Sequence, residues 1–187
     1  PGTKATLGDL AFLRSQGGDV DLKAHVRRGG AVLGICGGYQ MLGRSVHDRD
    51  GLDGAPGSVD GLGFLDIETT MTPEKSLTQV QAKHVATGEM LSGYEIHIGQ
   101  TYGADTARPF AIVNGVNEGA RSADGRIAGT YLHGLFADDG FRKAFLATKG
   151  VTASGISYNA EVDQILDQLA DHLEAHVNVD ELLATAR

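Results

Sequence analysis

The chain of 187 residues is poor in several residue types: it has one cysteine, four prolines and no tryptophan. A single cysteine excludes an internal disulfide. No apolar run approaches the ~18 residues that a membrane-spanning helix needs, and no secretory leader opens the chain. The formal charge is −8 with no run of Lys and Arg, which argues against nucleic-acid and membrane partners. We therefore expect a soluble, cytoplasmic protein.

Glycine, in contrast, is abundant, with 27 residues, about twice the usual share of ~7%. So many glycines with so few prolines predict tight turns and close backbone approaches. The phosphate-binding sequence Gly-x-x-x-x-Gly-Lys-[Ser/Thr] does not occur, so we expect no ATP site in this chain. We likewise expect no metal and no other cofactor of its own.

Hydrophobic patterns predict an α/β domain. The predicted helices cover residues 7–16, 20–28 and 38–44, with a tail helix that starts near an N-cap at Asn159. The predicted strands cover residues 31–35, 64–71, 77–86, 110–116 and 126–132, with a loop at 47–63 and turns at 73–75 and 122–125. The apolar run 31–35 is typical of a buried parallel strand. Apolar residues of the tail helix form one stripe: Val162, Ile165, Leu166, Leu169 and Leu173.

The lone cysteine, Cys36, lies where the strand at 31–35 turns into a helix, in Gly-Ile-Cys-Gly-Gly-Tyr-Gln (34–40). Such a turn exposes its side chain at the carboxyl edge of the sheet on a strained backbone, and only small neighbours fit. Gly34, Gly37 and Gly38 meet that need, and the N–H groups of the helix start favour a thiolate. Cys36 is thus predicted to be a nucleophile rather than a small buried side chain.

A thiol nucleophile requires a base, and the chain has seven histidines. His133 ends the strand predicted at 126–132, so we expect it at a strand end, where α/β sheets carry active sites. Its distance from Cys36 in sequence is no obstacle, because catalytic partners meet in space. His133 is the first candidate base and His97 the second.

The motifs 34–40 and 129–136 (Gly-Thr-Tyr-Leu-His-Gly-Leu-Phe) together resemble the glutaminase domain of class I glutamine amidotransferases. The similarity is to the branch found in cobyric acid synthase and cobyrinic acid a,c-diamide synthase, and the tail at 169–183 is most similar to the former. Stretches at 1–4, 51–63, 68–69 and 93–101 fit as well, so the resemblance covers nearly the whole chain. It implies a flavodoxin-like open sheet with a nucleophile elbow and the release of ammonia from glutamine.

By this resemblance, Cys36 attacks the side-chain amide of glutamine, and His133 carries the proton to the departing ammonia. Water then hydrolyses the thioester. The oxyanion of the intermediate would be bound by the N–H of Gly37 and by one from the first loop, at Gly2 or Thr3, of which we select Gly2.

Three further residues are assigned to substrate binding. Gln40 matches the position that holds glutamine; without the resemblance it would be a helix-surface residue. Class I amidotransferases usually carry a glutamate two residues after the histidine, but Leu135 stands there. Glu95 is a candidate for the missing orienting acid, since Glu95 and His97 share a face of an extended segment. Both would also suit contacts with the amino-acid group of the substrate, or simply line a polar loop.

In this family, earlier strands and an ATP-using synthetase domain precede the oxyanion loop. We therefore expect residues 1–187 to be one amidotransferase domain without its first strands. The amidotransferase domain would bind glutamine as its substrate, whereas ATP, Mg²⁺ and a corrinoid acceptor would belong to the synthetase domain. The alternatives are cobyrinic acid a,c-diamide synthase, a glutaminase subunit that amidates peptidoglycan precursors, and a catalytically silent docking module. The tail disfavours the first two, and the presence of both Cys36 and His133 disfavours the third.

Overall fold

A computed structural model describes residues 1–186, in two compact units of which the first is Pro1–Leu135 and the second begins at Phe136. Helices of the first unit are α1 (Thr6–Ser15), α2 (Gly18–Arg27) and α3 (Gly37–Met41). Its strands are β1 (Val32–Ile35), β2 (Ser45–Asp48), β3 (Gly57–Asp60), β4 (Glu68–His84), β5 (Met90–Tyr102), β6 (Ala111–Val113), β7 (Val116–Glu118), β8 (Ala120–Arg121), β9 (Ile127–Thr130) and β10 (Leu132–His133).

These strands form two open sheets. The smaller sheet has the order β1-β9-β8, with β1 parallel and β8 antiparallel to β9. The larger sheet has the order β10-β5-β4-β2-β3, and the β6–β7 hairpin joins it through β4. Helices combined with mixed sheets confirm the predicted α/β class. The pairing of β1 confirms that residues 31–35 hold a parallel strand, but only Gly34 of β1 is buried.

The longest strand, β4, replaces two predicted strands and a predicted turn. The sequence predicts strands at 64–71 and 77–86, whereas β4 runs over Glu68–His84 without a break. Its pairing with β5 shifts register between Thr70 and Lys75. Pro73 lies in this irregularity, where no ladder hydrogen bond needs the N–H that proline lacks. The predicted turn at 73–75 is therefore wrong, because a bulge and a turn carry the same local signal.

Two hairpins are also absent from the prediction. The predicted loop at 47–63 contains the end of β2 and all of β3, and these two strands pair antiparallel, with Val46 of β2 fully buried. The predicted strand at 110–116 covers β6, a turn and the first residue of β7, and the two strands form a hairpin. At its turn, Asn114 and Gly115 have φ of 50° and 81°, the left-handed pair that two-residue hairpins require. The turn at 122–125 is confirmed, since Gly125 N–H donates to the Ser122 carbonyl and β8 pairs with β9.

A crossing at Tyr131 divides the strand predicted at 126–132. Whereas β9 pairs with β1 in the smaller sheet, β10 pairs with β5 in the larger one. The Tyr131 N–H donates to Glu118 Oε1 at 2.6 Å. The crossing carries His133 onto the larger sheet, opposite Tyr94 of β5.

The core of the first unit anchors α3, the helix that follows Cys36. Tyr39 of α3 is 1% exposed and meets the ring of Tyr131 edge to face, with centroids 5.0 Å apart. The same cluster takes in side chains from α1, from the loops around β2 and β3, and from the smaller sheet: Leu10, Leu42, Leu62, Leu65, Ile67, Ala120 and Ile127. Burial of these apolar groups fixes α3 against β1 and β9.

The second unit contains α4 (Asp139–Ala147), α5 (Tyr158–His176) and α6 (Val179–Thr185). Asp138 caps α4 by accepting the Phe141 N–H. The predicted stripe lies on α5, but this helix follows Ser157, so the predicted N-cap Asn159 lies within its first turn. Within residues 1–186, none of the helices combines the length and the apolar character of a membrane crossing.

Candidate active site

Cys36 joins β1 to α3 with φ of 55° and ψ of −116°. A positive φ is uncommon for a residue with a side chain and stores strain. The Cys36 N–H donates to the Thr130 carbonyl at 2.8 Å, which continues the pairing of β1 with β9 up to the turn. The sharp strand-to-helix elbow that the sequence predicts is therefore present.

The three glycines around Cys36 are required by space. A Cβ on Gly34 would lie 2.6 Å from the Gly38 carbonyl oxygen, and one on Gly37 would lie 2.4 Å from Thr3 Cγ2. A Cβ on Gly38 would lie 2.9 Å from the Pro1 carbonyl oxygen, which accepts the Gly38 N–H. The first loop is thus packed directly onto the elbow.

Cys36 is 8% exposed, and its thiol donates to the Ile96 carbonyl at 3.4 Å. Burial raises the pKa of this thiol above its ordinary value. Hydrogen bonds from the Gly37 and Thr3 N–H groups lower the pKa of the thiol, whereas the charge of Asp53 raises it further. The N–H groups at the helix start therefore favour the thiolate as the sequence predicts, but burial is the larger effect, and the side chain is buried rather than exposed.

His133 lies beside the thiol. A Cβ placed on Gly2 would lie 3.2 Å from His133 Cε1 and 3.7 Å from Cys36 Sγ, so both side chains flank Gly2. Burial lowers the pKa of His133, and a hydrogen bond to the Ile96 backbone partly offsets this effect. The imidazole ring stacks on the ring of Tyr94, with the ring centroids 5.1 Å apart. Within residues 1–186, the buried Nε2 of His133 has no hydrogen-bond partner. A neutral imidazole with a free nitrogen can accept a proton.

A cavity of about 700 Å³ opens over the thiol. It brings together most of the predicted site residues: Gly2, Cys36, Gln40, His97 and His133. Gly37 lies behind Cys36, with its N–H directed at the sulfur. Glu95, although described, is missing from the cavity lining. The first loop contributes the N–H of Thr3 to the sulfur, so Thr3 supplies the donor while Gly2 supplies the space.

Gln40 is 3% exposed and is therefore not a surface residue, and both its amide nitrogen and its amide oxygen form hydrogen bonds. Its Nε2 donates to the Ile98 carbonyl at 3.1 Å and to the Tyr131 hydroxyl at 3.2 Å, and the Thr6 hydroxyl lies 3.1 Å from its Oε1. This network fixes Gln40 as one wall of the cavity.

His97 and Glu95 lie two residues apart on β5 and differ in surroundings. The ring of His97 stacks on that of Tyr131 with centroids 3.8 Å apart, and burial lowers its pKa. Burial raises the pKa of Glu95, whose charge acts on Glu118. The orienting role of Glu95 stays a prediction.

Glu118, which no motif in the sequence marks, is a buried carboxylate at the crossing between the two sheets. It is 7% exposed, accepts the Thr130 hydroxyl at 2.7 Å and also accepts the Tyr131 N–H. Burial raises the pKa of Glu118 to about 7. The two hydrogen bonds lower this pKa, and the charge of Glu95 raises it. Glu118 therefore holds the corner that leads from β9 to His133.

We expect Glu118→Gln to change how stability depends on pH. A folded-state pKa of about 7 against 4.5 in the unfolded chain means that the folded state binds a proton more tightly. The wild type therefore loses roughly 3 kcal/mol of stability as pH rises from 4.5 to 7, and the variant does not. Urea unfolding at pH 5 and pH 8 measures the difference, with the exposed Glu89→Gln as control. Parallel pH dependence in all three proteins would contradict the assignment.

Asp53, Lys4 and Lys75 also line the cavity and are absent from the sequence prediction. Asp53 lies in the Asp- and Gly-rich loop after β2, where composition indicates only a turn. Lys75 lies at the register shift in β4. Of the 186 described residues, no group of three or more His, Cys, Asp or Glu is placed to hold a metal ion.

The fold that carries the cysteine elbow is the one found in solved structures of glutamine amidotransferases. A solved structure named only as a glutamine amidotransferase aligns with a TM-score of 0.52 at 16% identity, over 74% of this chain and 71% of that one. The PurLQS structure from Thermotoga maritima aligns with a TM-score of 0.50 at 14% identity, over 71% of this chain and 66% of that one. At these identities the likeness establishes the class I amidotransferase-like fold alone.

The chain belongs to the CobB/CobQ-like glutamine amidotransferase domain family, whose model matches residues 1–141. It is 65% identical over its whole length to a cobyric acid synthase of Cereibacter sphaeroides, 62% to that of Paracoccus denitrificans and 59% to that of Bradyrhizobium diazoefficiens. The chain spans 38–39% of the length of these relatives. The predicted resemblance is confirmed, and the region is the glutamine amidotransferase part of such proteins.

Proposed function

We propose that this chain hydrolyses the side-chain amide of glutamine through Cys36 and His133. The observation that carries the proposal is the strained Cys36 elbow, whose sulfur receives two backbone N–H groups and shares a cavity with His133. His133 takes the thiol proton as sulfur bonds to the amide carbon. The proton then passes to the leaving nitrogen, ammonia departs, and a thioester remains. Water, deprotonated by His133, cleaves the thioester to glutamate and restores the thiol.

The N–H groups of Gly37 and Thr3 bind the oxyanion of each tetrahedral intermediate in this proposal. They are directed at the Cys36 sulfur, to which the carbonyl carbon becomes bonded. Backbone donors fixed in advance stabilise a developing oxyanion more than the carbonyl of the substrate. The contacts of Gly37 and Gly38 with the first loop hold these donors in place.

The ammonia is proposed to serve the ATP-dependent amidation of corrinoid carboxylates, as the name of the relatives suggests. Their length leaves room for a synthetase part outside the matched region. ATP and Mg²⁺ do not fit residues 1–186, which have neither a phosphate-binding glycine loop nor a metal-ligating cluster. We therefore assign both, with the corrinoid, to that part, and propose the cytoplasm as the compartment.

Labelling with 6-diazo-5-oxo-L-norleucine, a glutamine-shaped electrophile, tests the site. We expect one adduct per chain, on Cys36, detected by peptide mass spectrometry, and none in Cys36→Ser. As the fraction of labelled Cys36 rises, the rate of glutamate release from glutamine should fall in proportion. An adduct elsewhere, or glutamate release that survives complete modification of Cys36, would refute the proposed chemistry.

A further inference from the structure

The cavity over Cys36 has more charge in its walls than the hydrolysis of an amide requires. Asp53 supplies a carboxylate, and Lys4 and Lys75 supply ammonium groups. Neither lysine forms an ion pair with any residue in the described part of the chain. Walls with both signs of charge match a zwitterion better than a neutral amide.

Asp53 is held in place by its own loop and by α1. Asp48, which is 1% exposed, accepts the N–H groups of Leu52 and Asp53 at 2.8 and 2.9 Å. Asp53 Oδ2 in turn accepts the N–H and the hydroxyl of Thr6 at 2.8 and 2.7 Å. These bonds leave Oδ1 of Asp53 without a donor among the described residues. The carboxylate is therefore preorganised, with one oxygen free for a ligand.

Two hydrogen-bond acceptors in the cavity wall also compete for one donor. The Thr6 hydroxyl faces both Asp53 Oδ2 and Gln40 Oε1, at 2.7 and 3.1 Å, and its single proton cannot satisfy both fully. The charged and closer Asp53 is the stronger acceptor. Gln40 Oε1, on a side chain 3% exposed, then receives only the weaker share of one hydroxyl proton. A ligand with several N–H donors would supply what these two oxygens lack.

The negative charge of Asp53 also makes the Cys36 thiol harder to deprotonate. It acts with burial to raise the pKa of Cys36, which disfavours the thiolate that attacks. A bound cation beside Asp53 would cancel that contribution.

We propose that Asp53 binds the α-ammonium group of the amino-acid substrate, that Lys4 and Lys75 bind its α-carboxylate, and that occupancy of Asp53 activates Cys36. The inference rests on the proposed glutaminase function and names how its substrate is recognised. The site then selects free glutamine over amides without an α-ammonium group, and its thiol reacts fastest when such a group is bound.

Two thiol reagents separate this role from a structural one. 6-Diazo-5-oxo-L-norleucine carries the α-ammonium and α-carboxylate groups, whereas iodoacetamide carries neither. In Asp53→Asn we expect labelling of Cys36 by the first reagent to slow at least about 10-fold, the value of a charge-assisted hydrogen bond. Labelling by iodoacetamide should stay equal or become faster, since a negative charge near the thiol is removed. The exposed Asp50→Asn of the same loop is the control and should leave both rates unchanged.

An equal loss with both reagents would overturn the proposal in favour of a structural role for Asp53, and no loss with either would also overturn it. A second measurement does not depend on the reaction. In Cys36→Ser, we expect glutamine to bind at least about 10-fold tighter than 4-carbamoylbutanoate, which lacks the amino group, and Asp53→Asn to abolish this preference. If neither reagent labels the wild type, the proposed hydrolysis fails, and this binding preference alone decides the role of Asp53.

Discussion

Replacing His133 by asparagine is expected to slow glutamine hydrolysis by about 10²–10⁴-fold, the usual contribution of a general base. In the proposed reaction the imidazole accepts the proton of the Cys36 thiol, and asparagine fills the space without basicity. Glutamate release under saturating glutamine measures the loss. His47→Asn is the control, because His47 lies on β2 between two serine hydroxyls and outside the cavity. A loss in His133→Asn no larger than that of the control would remove His133 from the mechanism.

The pH profile of the wild type adds a second check on the same residue. Burial lowers the pKa of His133, so its imidazole stays neutral to more acidic pH than an ordinary histidine. The acidic limb of kcat/KM is therefore expected below pH 6.5 and should be absent from the residual activity of His133→Asn. An acidic limb that persists unchanged in the variant belongs to another group.

Gly34→Ala is expected to destabilise the protein by about 3 kcal/mol or more and to lower Tm by about 6–12 °C. The new Cβ would lie 2.6 Å from the Gly38 carbonyl oxygen, a backbone atom that moves only if β1 and α3 separate. Differential scanning calorimetry measures the shift.

The matched control for Gly34→Ala is Gly8→Ala. Gly8 lies inside α1, and a Cβ there would find its nearest atom, Ala5 Cβ, at 3.8 Å, an ordinary contact. Alanine in a helix interior should leave stability unchanged or raise it by up to about 1 kcal/mol. Equal Tm values for the two variants would show that β1 and α3 are less tightly packed than the contact distances imply.

The elbow and the two strands that carry the predicted pair were accessible from sequence because their signals are local. An apolar run, three glycines and a cysteine occupy the eight consecutive residues 31–38, and His133 directly follows an apolar run. Backbone geometry at such a turn depends almost entirely on nearest neighbours, so the pattern predicts it well.

The acidic residues of the site could not be found in the same way. Asp53 meets Thr6 across 47 residues, and Glu118 meets Thr130 and Tyr131 from a separate hairpin. An isolated carboxylate in a polar loop carries no local sign of its partner. The misread strands have a related cause: whether Pro73 marks a turn or a bulge depends on β5, a different segment of the chain.

The crossing at Tyr131 determines how this chemistry could be transplanted. The residue that accepts the Cys36 N–H is Thr130, and His133 follows only three positions later. The proposed nucleophile and base are therefore connected through one ladder hydrogen bond and a very short stretch of chain, although the strands next to them belong to different sheets. A designer who grafts this pair onto another α/β scaffold must copy a single corner with its buried glutamate, rather than the relative arrangement of two whole sheets.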